Sequence, residues 1–359
     1  MRKITKFLSV LSLFAAAQSA VFAGGAYGTK STDGVIDKSK PVIESSDSYK
    51  AYICEDENVP VVYFTRDISP EGLVKVYKAM GWKATGKVGV KMSTGEPPAS
   101  NYLRPELVKN LVQEVKGTIV ECNTAYGGKR ADNAAHWQTV KEHGFLDIAP
   151  FDLQDEEGFL KIPVKGGYNL PFNYVGSHFD RYDSYLVLSH FKGHQMGGFG
   201  GAIKNLSIGF GSGTSVKRSG KGLIHSGGRA TDASAWNLTK GEHNQRKFLE
   251  SMAEAAKSVC DYMNNEKGIA FVNVMNRLSV DCDCNGNAHD PDMHDIGVLA
   301  STDPLAIDQA CVDLVFTSKD KKESLVERID TRFGRHTLEH AEKIGLGKGT
   351  RKYRLICID

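Results

Sequence analysis

Short apolar runs alternate with amphipathic segments along the first part of the chain. The strand-like runs are 59–65, 87–92 and 118–121, and the segments with helical spacing are 69–80, 104–115 and 133–143. Because strands that are joined through helices pair in parallel, this alternation predicts an α/β fold. We expect a mainly parallel sheet with helices on both faces.

The same alternation continues after a segment at 151–183 that predicts additional, shorter strands. We expect strands at 184–188, 269–275, 296–300 and 353–358, and helices at 246–262, 304–316 and 337–344. All of these elements belong to one predicted domain, residues 51–359. Its two lobes, 51–225 and 226–359, are expected to lie around a cleft.

The first 23 residues have the pattern of an export signal. Three basic residues precede an apolar run, 7–17, that is too short to span a bilayer, and Val21-Phe22-Ala23 resembles a cleavage site. We therefore expect an exported protein, periplasmic or extracellular, in which residues 24–50 form a flexible arm. Retention of the segment as an N-terminal anchor is the alternative.

The charge balance argues against a nucleic-acid partner. The formal charge is +2, and removal of the signal with its three basic residues leaves the mature chain at −1. Non-specific binding of nucleic acid needs a basic surface that neutralises phosphates. Outside the signal, no segment is apolar enough for a stable membrane span.

Glycines are concentrated in one stretch that follows the predicted strand 184–188. Eight of the 21 residues from Gly193 to Gly213 are glycine, which is unfavourable inside strands and helices because glycine loses much backbone freedom on folding. Ligands of parallel sheets bind beyond the carboxyl ends of the strands. We therefore expect a cleft here, built from residues 189–205, His225 and residues 282–284. Three residues of the loop after the strand 118–121 are expected as polar contributors: Asn123, Thr124 and Arg130.

Imidazole, amine and backbone N–H groups in and near this stretch suit a small anionic molecule or a metal ion. The residues expected to bind a cofactor are Gly198, Gly200, Gly201, Lys204 and Asn205. The residues expected to ligate a metal are His190, His194, His225, Cys282 and Cys284. Lys204 and His194 are the expected catalytic groups. The alternative is a tightly packed turn with its lysines in solvent, and the stretch is neither a P-loop nor a dinucleotide fingerprint.

Cys282 and Cys284 are the only two of seven cysteines that are spaced for joint chemistry. They act as metal thiolates, form a Cys-x-Cys disulfide or remain idle thiols, and the sequence leaves these three interpretations open. As thiolates beside imidazole they suit a transition metal such as iron, nickel, zinc or copper.

Two further motifs have structural explanations. His336 and His340 fit an H-x-x-E-H pattern, but only 19 residues follow, too few for a third metal ligand, so we expect a surface helix. Asp303 is predicted to cap the helix that starts at Pro304. Asp308 is either solvated or part of the cleft.

Three long motifs form a composite signature. They are residues 190–205 (HFKGHQMGGFGGAIKN), 281–308 with its segments DCDC, DIGVLAS and DPLAID, and 336–347 (HTLEHAEKIGLG). This signature resembles that of the domain-of-unknown-function 362 family, often described as iron–sulfur centre proteins, over roughly residues 55–359. Many members carry a cysteine-rich ferredoxin-like insert, whereas residues 226–258 here contain no cysteine. A ferredoxin-type 4Fe–4S cluster, which needs four thiolates, is therefore not expected.

The order of His194, Lys204 and His225 is similar to that in the nickel-pincer lactate racemases. In those enzymes a lysine ten positions after a histidine tethers the cofactor, and His194 and Lys204 are also ten positions apart. The likeness implies that Lys204 holds a cofactor and that the two histidines lie near its metal.

Two classes of function follow from these observations. The first is a redox or isomerase-type metalloenzyme that acts on a small anionic substrate. In it, His194, His225 and the two cysteines hold the metal, while Lys204 binds the substrate or tethers a cofactor. The second is a non-catalytic envelope protein that binds an anionic small molecule or a metal, and turnover distinguishes the two.

Overall fold

A computed structural model describes residues 42–214 and 241–359, so the predicted export signal and most of the predicted arm lie outside the described residues. The strands are β1 (Val61–Thr65), β2 (Val88–Lys91), β3 (Thr118–Glu121), β4 (Phe151–Leu153), β5 (Phe159–Pro163), β6 (Phe172–Gly176), β7 (Ser184–His190), β8 (Lys192–His194), β9 (Gly198–Gly200), β10 (Ile269–Met275), β11 (Gly297–Ser301) and β12 (Arg354–Cys357). The α-helices are α1 (Pro70–Met80), α2 (Pro105–Glu114), α3 (Asn133–Glu142), α4 (Ala202–Ser207), α5 (Glu242–Tyr262), α6 (Pro304–Thr317), α7 (Glu323–Thr331) and α8 (His336–Lys343).

Within the described ranges, eight strands form one sheet in the order β12-β1-β11-β10-β7-β2-β3-β4. Strand β11 is antiparallel to both of its neighbours, and every other neighbouring pair is parallel. β11 is the exception because the chain returns to the sheet from the edge at which it left β10, without a crossover helix. The predicted, mainly parallel α/β sheet is confirmed. Strands from both predicted lobes, 51–225 and 226–359, belong to it.

The centre of the sheet is buried on both faces. In β7, Tyr185 and Val187 join one apolar cluster, whereas Leu186 and Leu188 join the other. Because successive side chains of a strand project to opposite faces, a strand that is covered on both sides is apolar throughout. Helices α1 to α3 contribute to one cluster and α4 to α8 to the other, which confirms the prediction of helices on both faces.

Most element boundaries agree closely with the predicted ones. Strand β10 coincides with the predicted 269–275, and Asp303 caps α6 by accepting hydrogen bonds from the N–H groups of Leu305 and Ala306, each at 2.9 Å. The predicted role of Asp303 is thus confirmed. The elements that the pattern did not predict are α7 and, inside the glycine-rich stretch, the β8–β9 hairpin and α4.

Residues 42–50 are the part of the predicted flexible arm that the structure describes, and they are packed against the domain. Ile43 is buried in a core cluster, and Tyr49 Oη donates to Asp313 at 2.7 Å. Asp313 also accepts from the Tyr52 N–H and from Tyr353 Oη at 2.7 Å each. This buried carboxylate therefore joins the segment that precedes β1 to the last strand of the sheet.

The H-x-x-E-H segment forms α8, which packs against α5. His336 Nε2 lies 3.0 Å from a Glu250 oxygen, and His340 Nε2 lies 3.0 Å from a Glu254 oxygen. The predicted helix is present, but its surface position was only partly right, because His340 is buried. Each histidine pairs with its own carboxylate, so the two do not share a metal.

In the part of the chain that the structure describes, no helix has the length and apolar character needed to cross a membrane.

Asp308 on α6 holds the start of α4 from inside the protein. Its carboxylate accepts hydrogen bonds from the N–H groups of Ala202 and Ile203, at 2.7 and 2.9 Å, and from Asn273 Nδ2 at 2.8 Å. Asp308 is fully buried, so of the two predicted positions it is not the solvated one. Helix α4 carries Lys204 and Asn205, and its placement therefore depends on this carboxylate.

We expect the contribution of Asp308 to the free energy of unfolding to depend on pH. Burial raises the pKa of Asp308 from 3.8 to about 6, although its hydrogen bonds oppose the shift. An acid with a raised pKa in the folded state costs stability when it ionises, so relative to Asp308→Asn the wild type loses about 3 kcal/mol as the pH rises from 3.8 to about 6. Urea denaturation across this range measures the difference.

The matched control for that experiment is Asp330→Asn, since the Asp330 side chain is 43% exposed. A wild-type minus Asp308→Asn difference that stays constant across the range would contradict the assignment of a buried, raised-pKa carboxylate at the start of α4.

Candidate functional site

A cavity of about 60 Å³ lies at the carboxyl edge of the sheet. Since one water needs about 10–15 Å³, it has room for a molecule of about five water-sized groups. Lys91, Glu121 and His190 line it, and they are the last residues of β2, β3 and β7. Because these strands are parallel, their ends meet at one edge, as the sequence predicted.

The glycine-rich stretch forms the β8–β9 hairpin and α4, and its glycines serve close packing. A Cβ at Gly201 would lie 2.3 Å from Asp308 Oδ1, and one at Gly193 would lie 2.3 Å from the Val280 carbonyl oxygen. The hairpin pairs residues 192–194 with 198–200, and the first two N–H groups of α4 donate to Asp308. Of the predicted cofactor-binding glycines, Gly201 lines the cavity while Gly198 and Gly200 belong to the hairpin. Side chains, rather than the backbone N–H groups at the start of α4, therefore face a ligand.

Arg130 links two acidic residues on the β3 side of the cavity. Its guanidinium contacts Glu121 at 2.5 Å and Glu96 at 3.3 Å, and it donates to Ser93 Oγ at 3.1 Å. Burial alone would raise the pKa of Glu121, but Arg130 and then His136 hold that pKa well below its ordinary range. Glu121 is thus an anion whose charge is already matched by Arg130.

Asp283 anchors the opposite wall from within the Cys-x-Cys segment. Its carboxylate lies 2.9 Å from His190 Nδ1 and 3.0 Å from Lys192 Nζ. Burial opposes its ionisation, yet His190 and Lys192 hold the pKa of Asp283 far below its ordinary value. His190 Nε2 faces the Asn276 carbonyl oxygen at 2.6 Å. Both ring nitrogens of His190 are engaged by oxygen partners, so neither is available to a metal.

Asn205 joins α4 to two strand ends. Its Nδ2 donates to the Leu188 carbonyl and to Ser189 Oγ, at 3.2 and 3.1 Å, while its Oδ1 accepts from Lys91 Nζ at 3.0 Å. Lys91 Nζ also donates to the Met92 carbonyl oxygen at 3.1 Å. Burial lowers the pKa of Lys91. The side chain of Asn205, predicted to bind a cofactor, is thus occupied in holding Lys91 and the two strands.

Lys204 is the cavity-lining amine with the fewest partners. Its Nζ contacts Cys282 Sγ at 3.9 Å and has no oxygen partner among residues 42–214 and 241–359. Burial lowers the pKa of Lys204 to about 7, and the positive charge on Lys192 adds to the effect. Lys192 lines the same cavity, and an atom at the Cβ position of Gly200 would be 3.7 Å from Lys204 Cδ and 3.8 Å from Lys192 Nζ.

Cys282 and Cys284 form a disulfide, one of the three states that the sequence left open. His194 lies close by, and its Nδ1 accepts hydrogen bonds from the N–H groups of Met196 and Gly197 at 3.2 and 2.9 Å. Burial lowers the pKa of His194 well below 6.5, as do the charges of Lys204 and Lys192, so the ring is neutral. With Nδ1 accepting, its proton resides on Nε2.

The predicted metal ligands come together only in part. His194, Cys282 and Cys284 have ligand atoms within 4.8 Å of one another, the one such group in the described part of the chain. His190 is occupied by acceptors, and His225 lies outside the described residues. The disulfide has no thiolate to offer, and Nε2 of His194 carries a proton, so this group does not fit a metal in the state that the structure describes.

The remaining predicted residues divide between the cavity and its support. Thr124 and Arg130 line the cavity, whereas the Asn123 N–H donates to Asp155 at 2.8 Å. The charged cavity residues that the sequence did not predict are Lys91, Glu121 and Asp283. A usable signal existed for the first two, because a charged residue at the end of a short apolar strand falls at the ligand-binding edge.

Four cationic side chains line the cavity against two carboxylates. The cations are Lys91, Arg130, Lys192 and Lys204, and the carboxylates are Glu121 and Asp283. Arg130 and Lys192 have carboxylate partners, so the two amines that remain unmatched are Lys91 and Lys204. Burial lowers the pKa of both amines, although the charge of Glu121 opposes the shift of Lys91 and that of Asp283 opposes the shift of Lys204.

Comparison with known proteins gives a family match and several distant structural likenesses, two of which are described below. The model of the domain of unknown function DUF362 matches residues 88–313. The lactate racemase apoprotein from Thermoanaerobacterium thermosaccharolyticum is 14% identical with a TM-score of 0.39, and the likeness covers 76% of this chain and 61% of that one. A Thermotoga maritima protein from a structural genomics consortium is 10% identical with a TM-score of 0.33, covering 76% and 58%.

This chain therefore spans about three fifths of each of those two proteins, and the likeness at these identities says nothing about chemistry. A search of curated proteins finds no match.

We expect Gly201→Ala to destabilise the site. The added Cβ would lie 2.3 Å from Asp308 Oδ1 and must displace the first turn of α4, so the free energy of unfolding should fall by about 1–3 kcal/mol. Gly127→Ala is the matched control, because nothing lies within 4 Å of a Cβ there. Urea denaturation compares the two, and equal stabilities would contradict the packing role of Gly201.

Proposed function

Because the chain belongs to the domain-of-unknown-function 362 family, whose name assigns no activity, we propose its function from the site: it binds a small anion, a carboxylate or an oxoanion, in the cavity at the sheet edge. The observation that carries this proposal is a pair of amines, the buried Lys91 and the partly buried Lys204, that have no carboxylate within contact distance in the cavity lining. A bound anion supplies the missing charge.

Hydrogen-bonding capacity supports the same ligand class. A lysine ammonium has three N–H donors. Lys192 uses two of them, on the His190 carbonyl oxygen and on Asp283, and Lys91 uses two, on Met92 and Asn205. Each keeps one donor for a ligand, and Lys204 keeps more. The volume of about 60 Å³ limits the ligand to a small molecule.

Lys204 is the residue proposed to make the decisive contact. It sits on α4, whose start is held by Asp308, and its Nζ has one weak contact to sulfur among the described residues. His194 stands nearby as a neutral ring. An assay for turnover of the bound anion decides whether the protein only binds it or also converts it. The metalloenzyme that the sequence led us to expect is not part of this proposal.

Export belongs to the proposal as well. The predicted signal at residues 1–23 lies outside the described residues, so it is supported by the sequence pattern alone. An anion-binding protein with this signal would act in the periplasm or outside the cell.

We expect small dianions to stabilise the protein through Lys204. At constant ionic strength, oxalate, sulfate or phosphate should raise the melting temperature increasingly as its concentration exceeds the dissociation constant, and neutral oxamide should not. Lys204→Met should weaken binding by roughly ten- to hundredfold, the equivalent of about 1.5–3 kcal/mol for a hydrogen bond to a charged group. Lys319→Met, at a side chain that is 85% exposed, is the matched control.

Two results would contradict the proposal. One is stabilisation by oxalate that is equal in wild type and Lys204→Met. The other is binding that disappears when a chelator is added, since the proposal assigns the contact to side chains rather than to a metal.

We also expect the affinity for the anion to fall as the pH rises through neutrality. Below about 7 the Lys204 amine is protonated and attracts the anion, and above it the amine becomes neutral. Calorimetric titration with oxalate between pH 6 and 9 would show a decline in wild type that is absent in Lys204→Met. An affinity that does not change with pH in the wild type would show that Lys204 is not the titrating contact.

A further inference from the structure

We propose that the anion is a small 2-oxo acid and that Lys204 Nζ forms an imine with its carbonyl carbon. This inference rests on the proposed anion site and names its substrate class. It identifies a reaction that the pair of adjacent lysines, Lys192 and Lys204, is arranged to carry out.

The geometry assigns different roles to the two lysines. Lys192 is fixed by Asp283 at 3.0 Å and by the His190 carbonyl oxygen at 2.9 Å, so its charge is stationary and one N–H remains for a ligand. Lys204 lines the same cavity and is not tied to any oxygen in the described ranges. When Lys192 holds the carboxylate of a small molecule, the neighbouring carbon therefore lies in the cavity that Lys204 also lines.

A 2-oxo acid fits this spacing because its carboxylate and its reactive carbonyl are neighbouring carbons. The cavity of about 60 Å³ accommodates a ligand of the size of glyoxylate or pyruvate but no large aldehyde cofactor. The carboxylate also provides the negative charge that the unmatched amines lack.

Lys204 is suited to be the nucleophile because no oxygen in the described ranges holds its Nζ, whereas Lys192 is held by Asp283 and by the His190 carbonyl oxygen.

The reaction balances without an oxidant or a further reactant. The neutral amine of Lys204 adds to the carbonyl carbon, and a proton moves to the carbonyl oxygen to give a carbinolamine. Loss of the hydroxyl as water, with uptake of one proton, leaves a protonated imine. In sum, the ammonium form of Lys204 and the 2-oxo acid give the iminium ion and one water. The positive charge stays near Asp283, whose negative charge favours it.

Trapping with cyanoborohydride tests this inference on the purified, full-length protein. With glyoxylate at pH 7, we expect reduction to leave a carboxymethyl group on Lys204, located by peptide mapping with mass spectrometry. Labelling at Lys204 should be faster than labelling at the surface lysines. Oxalate in excess should suppress labelling at Lys204 and leave the surface lysines unchanged.

Lys204→Arg retains the charge but cannot form an imine, so it should lose the preferential label while oxalate still stabilises it. Lys192→Gln should reduce labelling by glyoxylate more than labelling by the neutral aldehyde acetaldehyde. The competition by oxalate needs no variant and remains decisive if either substitution impairs folding.

Labelling that is no faster at Lys204 than at surface lysines, or that oxalate does not suppress, would overturn the inference. If oxalate still stabilises the wild type in that case, the anion site stands and only the oxo-acid chemistry fails. If oxalate neither binds nor competes, both the proposed function and this inference are wrong.

Discussion

The first turn of α4 is held by the carboxylate of Asp308, and the functional edge of the sheet depends on that contact. Asp308 accepts hydrogen bonds from the first two N–H groups of the helix and leaves no room for a side chain at Gly201. Helix α4 then carries Asn205 into contact with the ends of β2 and β7, and Lys204 into the cavity. A single buried anion thus sets the position of the amine on which the proposed chemistry depends.

The second constraint is electrostatic. Burying a charge without a partner is unfavourable, and proteins respond by shifting the pKa toward the neutral form. Arg130 and Lys192 avoid this cost through Glu121 and Asp283, whereas Lys204 does not and has a pKa of about 7. An amine in this state is at once a poorly solvated cation that attracts an anion and a nucleophile at neutral pH.

Much of the fold could be predicted because its signals are local. The apolar run of β7, the helix start at Asp303-Pro304 and the alternation of strands and helices are each contained in a few adjacent residues. The meeting of Lys91, Glu121 and His190 at one edge follows from parallel pairing, so the location of the site was also predictable.

The roles of individual residues could not be predicted, since they depend on partners far along the chain. Gly201 and His190 were candidates for binding a ligand, but their neighbours are Asp308 and Asp283, which lie roughly a hundred residues later. Only packing brings these groups together, and it converts expected ligand contacts into structural ones. Lys204 is the exception among these predicted ligand contacts, because no oxygen in the described part of the chain accepts a hydrogen bond from its Nζ.

The most direct test of this account is the pKa of Lys204 itself, measured by NMR on protein with labelled lysine side chains and assigned with Lys204→Arg. The account predicts a pKa near 7 in the absence of ligand and a clear rise when oxalate is added. An ordinary lysine pKa without ligand, or no change on addition of oxalate, would contradict the claim that Lys204 is an unpaired amine that binds an anion.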